Sequence, residues 1–157
     1  MNIWRLPAEI DTEQLAPHHA LHLALEAMAR HCLEGVRPQF AQAVRPGDVI
    51  AAGPHLGIGS SREEAAGVLV SLGVTAVIAP SFGGLFYRNA CNLGLLLLIC
   101  PQAGLLQDGE AVACDARRGR ITRADGSALA AQAPPAFLIE RIERGGLLAE
   151  LRWRLQR

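Results

Sequence analysis

The chain has 157 residues, half of them apolar, with 15 basic and 15 acidic side chains and a formal net charge of zero. That length suits one domain burying about two thirds of its unfolded surface, and the charge balance gives no electrostatic footprint for nucleic acid or an anionic membrane. Every basic residue is an arginine, which excludes a P-loop lysine, a Schiff-base lysine and a lysine general base.

In chain order, Ile3–Leu6 predicts a short strand and Pro7–Pro17 an irregular, acidic stretch. Pro17 fits the first turn of a helix reaching about Leu33, with Leu21, Leu25, Met28 and Cys32 on one face and Gly35 as its stop. Pro38–Ala43 allows one more helical turn, Pro46-Gly47-Asp48 a turn, and Asp48–Ala52 a strand. A glycine loop follows, then a helix from about Ser61 to Leu72 stopped by Gly73. Thr75–Ala79 reads as a buried strand, Phe82–Leu93 as a helix closed by Gly94, and Leu95–Cys100 as another buried strand. This alternation over 48–100 predicts an α/β fold with a parallel sheet covered on both faces. Beyond it, Glu110–Asp115 and Arg120–Arg123 predict a hairpin, and Ala128–Pro135 a connector. Ala136–Arg144 predicts a helix ending at Gly145-Gly146, and Leu147–Leu151 a last strand. No linker divides the chain, so residues 1–157 are expected to form one domain.

Cys32, Cys91, Cys100 and Cys114 show no C-x-x-C spacing and read as small buried apolar side chains, not as ligands for zinc or an iron–sulfur cluster. His18 and His22 lie four apart without a third ligand at suitable spacing, so no metal site is expected in this chain. Trp4 and Tyr87 read as packing residues, not as a stacking platform. The N-terminus has no basic-then-apolar signal pattern, and the apolar run 95–100 is too short to span a bilayer; a soluble cytoplasmic protein is expected.

The glycine loop runs Leu56-Gly57-Ile58-Gly59-Ser60-Ser61-Arg62-Glu63-Glu64. Ser60 with Glu63, and Ser61 with Glu64, have capping-box spacing, so a serine is expected to cap the following helix and a glutamate to cap it back. Gly57 and Gly59 permit positive φ and close approach of a ligand to the backbone. The helix start supplies N–H donors and partial positive charge, and Arg62 a planar fork for carboxylate or phosphate. Together they predict an anion site with a hydroxyl at its centre. Arg62 stands where a G-x-G-x-x-G fingerprint needs its third glycine, which favours a small carboxylate over a dinucleotide. A serine acting there as a base needs its alkoxide stabilised, and helix-end N–H groups with a cation can do so.

Gly59-Ser60-Ser61-Arg62-Glu63, with Ala65 beyond, resembles the G-S-S-R-E-H-A signature of the aconitase superfamily, and within it the isopropylmalate dehydratase small subunits. Ile10-Asp11-Thr12-Glu13-Gln14-Leu15 before Pro17 is similar to the family's I-D-T-D-Q-I-I-P. His31-Cys32-Leu33-Glu34, Pro38-Gln39-Phe40, Pro46-Gly47-Asp48, Pro80-Ser81-Phe82, Phe86-Tyr87-Arg88-Asn89-Ala90, Asn92-Leu93-Gly94-Leu95 and Pro135-Ala136-Phe137-Leu138 with Gly145-Gly146-Leu147 extend the resemblance over nearly the whole chain. It implies a single swivelling β/β/α domain and a hydro-lyase that moves a hydroxyl between adjacent carbons of a hydroxy di- or tricarboxylate. It implies a [4Fe–4S] cluster on a separate large subunit, over which this chain closes. By the family pattern Ser60 is the base, Ser61 and Gly59 bind substrate, and Arg62 clamps its carboxylate. Thr12, Glu13 and Glu63 support the site.

The chain departs from that pattern in places. Glu13 replaces the usual aspartate, which orients a histidine of the large subunit; Ile58 replaces a cysteine and Glu64 a histidine. Pro17-His18-His19-Ala20-Leu21 stands where the family has proline before A-R-Y-L, so His19 occupies the place of a substrate-binding arginine and Ala20 that of a tyrosine. Histidine is only partly charged near neutrality, so a second carboxylate is held less firmly, which points to a substrate other than plain isopropylmalate or to a weaker enzyme. Methylmalate–citraconate, dimethylmalate and homocitrate-type substrates remain open, as does a non-catalytic module that keeps the anion loop.

Overall fold

The computed structural model describes residues 1–7 and 9–156. Strands β1 (Ile3–Arg5), β2 (Val49–Ala51), β3 (Ala76–Ala79) and β4 (Leu96–Ile99) form a parallel sheet in that order. Period-two alternation divides its side chains between two cores. Ile50, Val77 and Leu97 point to a helical layer, while Val49, Ala51, Ala76, Ile78 and Leu98 point the other way. The helical layer holds α1 (Thr12–Leu15), α2 (Leu25–Ala29), α3 (Phe40–Ala43), α4 (Glu64–Ser71) and α5 (Gly84–Leu93). The opposite face meets Val112, Ile121 and Leu129 of an antiparallel sheet, β5 (Val112–Asp115), β6 (Arg120–Arg123) and β7 (Ala128–Ala130). The parallel sheet is thus covered on both faces, by helices on one and by a second sheet on the other, in β/β/α order.

The central strands and α4 and α5 lie close to their expected spans, with small shifts at the helix starts. Four stretches differ. The helix expected over 17–33 is broken into a 3₁₀ turn at His18–Ala20, the short α2 and a run of turns. Ala24 is extended, with ψ 153°, and Leu33 has a φ of +60°. Leu33 is fully buried and donates its N–H to Gln14 O at 2.9 Å, so tertiary burial overrides the helical spacing. Within the stretch expected to be irregular, Asp11 and Gln14 make a reciprocal capping box that starts α1. The expected connector contains β7, paired with β6. The expected last strand is instead helix α7 (Leu147–Leu155), which follows α6 (Ala136–Glu143) across Gly145-Gly146.

Near the start of the sheet, Asp48 is buried and accepts from Trp4 Nε1 at 3.0 Å, Arg45 N at 3.0 Å and Asn2 N at 3.3 Å. Burial pushes its pKa up, but these donors more than offset it and hold the carboxyl below its ordinary value. Asp48→Ala strands the three donors and is expected to cost about 2–3 kcal/mol, read as a lower urea midpoint. Because the folded-state pKa is depressed, this stabilisation is present above the unfolded pKa and is lost as pH falls through the folded value. The wild-type and variant stabilities should therefore converge in acid.

Candidate functional site

The site is built at the carboxyl ends of the parallel strands, where open α/β sheets place their ligands. The loops after β2 and β3 meet there: Leu56 N donates to Ser81 O at 3.2 Å and Gly83 N to Leu56 O at 2.8 Å. On the other side Gly57 N donates to Ile10 O at 2.7 Å and Thr12 N to Ile58 O at 2.9 Å. Residues 55–59 are thereby clasped between two neighbouring segments. Gly57 has a φ of +78°, and a Cβ there would lie 2.3 Å from Phe86 Cγ, so no other residue fits. Gly59 has a φ of +108° and packs on Thr12, whose Oγ1 would be 3.0 Å from an added Cβ. This contact is what buried Thr12 contributes to the loop.

Arg62 ties the loop to α1 and the turn after it. Its Nη1 donates to Ala16 O at 2.8 Å and pairs with Glu13 Oε2 at 2.9 Å. Glu13 Oε1 accepts from His18 N at 2.8 Å. The His18 N–H and the Arg62 guanidinium hold the Glu13 carboxyl below its usual range. Arg62 Nη2 lies 3.5 Å from Ser60 Oγ. The guanidinium is mostly buried and fixed along one edge, with its Nη2 side toward the serine.

The serines do not cap α4. The helix begins at Glu64, and Glu63 sits at the N-cap with helical dihedrals and no side-chain cap bond. Neither expected capping box forms. The Arg62 contacts draw residues 60–62 toward Ala16, and Asn89 Nδ2 donates to Ser61 O at 3.2 Å. Asn89 is a positioning residue that sequence reasoning missed. Ser60 and Ser61 are exposed just ahead of the helix start, so their hydroxyls are spared from capping duty.

His19 lies on the rim of a depression of about 300 Å³ lined by Glu13, Gln14, Pro17, His19, Glu34 and Val36. Its Nε2 is 3.0 Å from Glu34 Oε1, and His31 Nδ1 is 2.8 Å from Glu34 Oε2. Among the described residues, these are the three metal-capable side chains whose ligand atoms converge; His18 and His22 do not join them. Cys32, Cys91 and Cys100 are buried and Cys114 half-buried. Burial raises the Cys91 and Cys114 thiols to about 11 and pushes Cys32 and Cys100 upward as well. No convergent cysteine group exists among the described residues, so they do not fit an iron–sulfur cluster.

Residues 36–103 match the aconitase C-terminal domain. The 3-isopropylmalate dehydratase small subunit 1 of Methanopyrus kandleri is 40% identical over 92% of this chain and 87% of its own length. The chain belongs to the 3-isopropylmalate dehydratase small-subunit family. It is therefore a small subunit of a hydro-lyase, and the family's name implies a large-subunit partner. The methanogen homoaconitase small subunit of Methanothermobacter thermautotrophicus is 39% identical over 93% of this chain and 86% of its own. The crystal structure of 3-isopropylmalate dehydratase from Methanocaldococcus jannaschii superposes with a TM-score of 0.92 at 32% identity, covering 99% of this chain and 93% of that one. Like the small subunits it resembles, the chain has a mixed α/β fold with a parallel sheet. No helix among the described residues is long and apolar enough to cross a membrane.

Proposed function

We propose that the chain, as one swivelling domain over 1–157, closes over a cluster-bearing large subunit and dehydrates and rehydrates a hydroxy di- or tricarboxylate in the cytoplasm. The [4Fe–4S] cluster of the partner, when bound, supplies the open iron that holds the substrate's hydroxyl and carboxylate. Ser60, exposed to solvent and having released its hydroxyl proton there, takes the proton from the carbon beside a substrate carboxylate onto its alkoxide Oγ and so returns to the hydroxyl. A serine hydroxyl is a weak base, and the Arg62 guanidinium 3.5 Å away stabilises its alkoxide. The free edge of Arg62 clamps a carboxylate, while Glu13 and Ala16 O fix the other edge. Ser61 donates a hydrogen bond to the substrate, and Gly59 brings the backbone up to it. Thr12 supports Gly59 from below, Glu13 holds Arg62, and Glu63 starts the helix that follows the loop. The observation that carries this reading is the exposed, uncapped Ser60 hydroxyl beside an arginine anchored from behind.

The substrate is isopropylmalate or a near relative such as a methylmalate, dimethylmalate or homocitrate-type acid. Relatives named both as isopropylmalate dehydratase and as homoaconitase support that class. Anaerobic co-expression with the large subunit, followed by a panel of hydroxy acids assayed for ultraviolet absorbance of the unsaturated product, tests it. A competent pair with no turnover on any of them would leave a non-catalytic anion-binding module. In the metal-free chain His19 at the rim is the second carboxylate contact, and its imidazole is shared with Glu34. His19→Arg is expected to lower KM for malate-type diacids by about tenfold, the worth of one additional charge-assisted bond. An unchanged KM would remove that role from His19.

A further inference from the structure

We propose that His19, His31 and Glu34 form a binding site for a divalent transition-metal ion of the zinc class. This goes beyond the serine-centred reading, because the site is complete within this chain. The ligand atoms already converge: His19 Nε2, His31 Nδ1 and a Glu34 carboxylate oxygen all lie within 4.8 Å of one another. A tetrahedral zinc with bonds of about 2.0–2.1 Å needs its ligand atoms roughly 3.3 Å apart. His19 Nε2 lies 3.0 Å from Glu34 Oε1 and His31 Nδ1 2.8 Å from Glu34 Oε2, so the two imidazoles flank the carboxylate, and a turn of that carboxylate presents one oxygen between them. The imidazoles stand edge to face, with centroids 5.2 Å apart, so small side-chain rotations bring their nitrogens together.

The backbone beneath these three side chains is fixed. His19 belongs to a 3₁₀ turn whose Ala20 is fully buried. His31 and Glu34 flank Cys32 and Leu33, both buried. The bond from Leu33 N to Gln14 O, 2.9 Å long, ties this turn to the segment leading to His19. Two imidazoles and one carboxylate suit zinc and its neighbours, whereas calcium and magnesium prefer shells of oxygen. Three protein ligands leave a fourth position open. His19 and Glu34 both line the depression that also holds Glu13, the ion-pair partner of Arg62. A bound dication adds two positive charges beside the Glu34 carboxylate. Water or a carboxylate oxygen then completes the shell.

The experiment is calorimetric titration of the full-length chain, stripped by chelator, with zinc chloride, and parallel cobalt(II) titration followed by visible absorption. One ion per chain is expected, with tetrahedral cobalt bands and no thiolate charge-transfer band. His19→Ala, His31→Ala and Glu34→Gln should each weaken binding by about tenfold or more, while His22→Ala binds as the wild type does. The three side chains are 61%, 37% and 40% exposed, so the variants should keep their fold, checked by circular dichroism. Zinc-dependent movement of the His19 and His31 ring proton resonances, with His55 unmoved, gives the same answer on the wild-type chain. No binding, binding that survives His31→Ala, or a thiolate band overturns the proposal. None of these readouts uses substrate or the large subunit, so failure here leaves the Ser60 reading intact, and an inactive Ser60 enzyme leaves this site intact.

Discussion

Ser60→Ala in the assembled enzyme is expected to lower kcat by about a hundred- to ten-thousand-fold, the usual worth of a positioned base, with KM nearly unchanged. Ser60 has no part in holding the fold. It caps no helix, and its side chain is exposed ahead of Glu63 and Glu64. Its removal should therefore change stability by less than about 0.5 kcal/mol. Arg62 keeps its bonds to Ala16 O and Glu13 in the variant, so the carboxylate clamp survives and substrate still binds. Three measurements separate the cases: steady-state kinetics, a urea midpoint, and co-purification with the large subunit. Unchanged turnover would take Ser60 out of the chemistry. Lost turnover with lost co-purification would make it an interface residue instead.

The parts of the fold written in short-range pattern were legible. The apolar β-branched run around Val77 and Ile78, and the Gly94 stop, gave β3 and the end of α5 nearly to the residue. The second covering layer was less so. Its hairpin strand β6 is legible, whereas β7 is not, because Ala128-Leu129-Ala130 has weak strand propensity and takes its form from pairing with β6. Helix α7 carries a helical signal in its sequence: Glu150 and Arg154 are four apart and pair, as helical neighbours do. Buried Glu150 also meets Arg141 Nε at 2.7 Å, which docks α7 on α6. The Asp11-x-x-Gln14 capping box was equally readable, while the two boxes proposed at the serines were spacing without contact. Arg62 lies two residues from Ser60, yet its nearest partners are 46 and 49 residues away, at Ala16 and Glu13. The residue types of the site are legible in the sequence, but not that pairing, nor the meeting of His19 with Glu34 and His31, which depends on a break in the expected helix.

Gly57→Ala is expected to lower stability by about 2–5 kcal/mol and to reduce activity with it. Two costs add. The φ of +78° is unfavourable for any residue with a Cβ, and that Cβ would lie 2.3 and 2.6 Å from Phe86 Cγ and Cβ. Phe86 Cβ does not move when χ1 turns, so a rotamer change cannot clear the space, and the residue is almost wholly buried. The first turn of α5 would have to shift. Gly83 blocks a small adjustment, because it packs so tightly that its own Cβ would lie 2.4 Å from Gly57 O. The strain then falls on the clasp, stretching the bonds from Gly57 N to Ile10 O and from Thr12 N to Ile58 O. Both lie directly upstream of Gly59, Ser60 and Arg62, so the serine moves relative to its guanidinium. Gly109→Ala is the matched control: its φ is +75°, but nothing lies within 4 Å of an added Cβ. It should cost only the conformational share, about 1–2 kcal/mol. Urea midpoints of the two variants give the difference directly, and equal losses would show that Phe86 yields freely and that the close approach at Gly57 does not hold the loop.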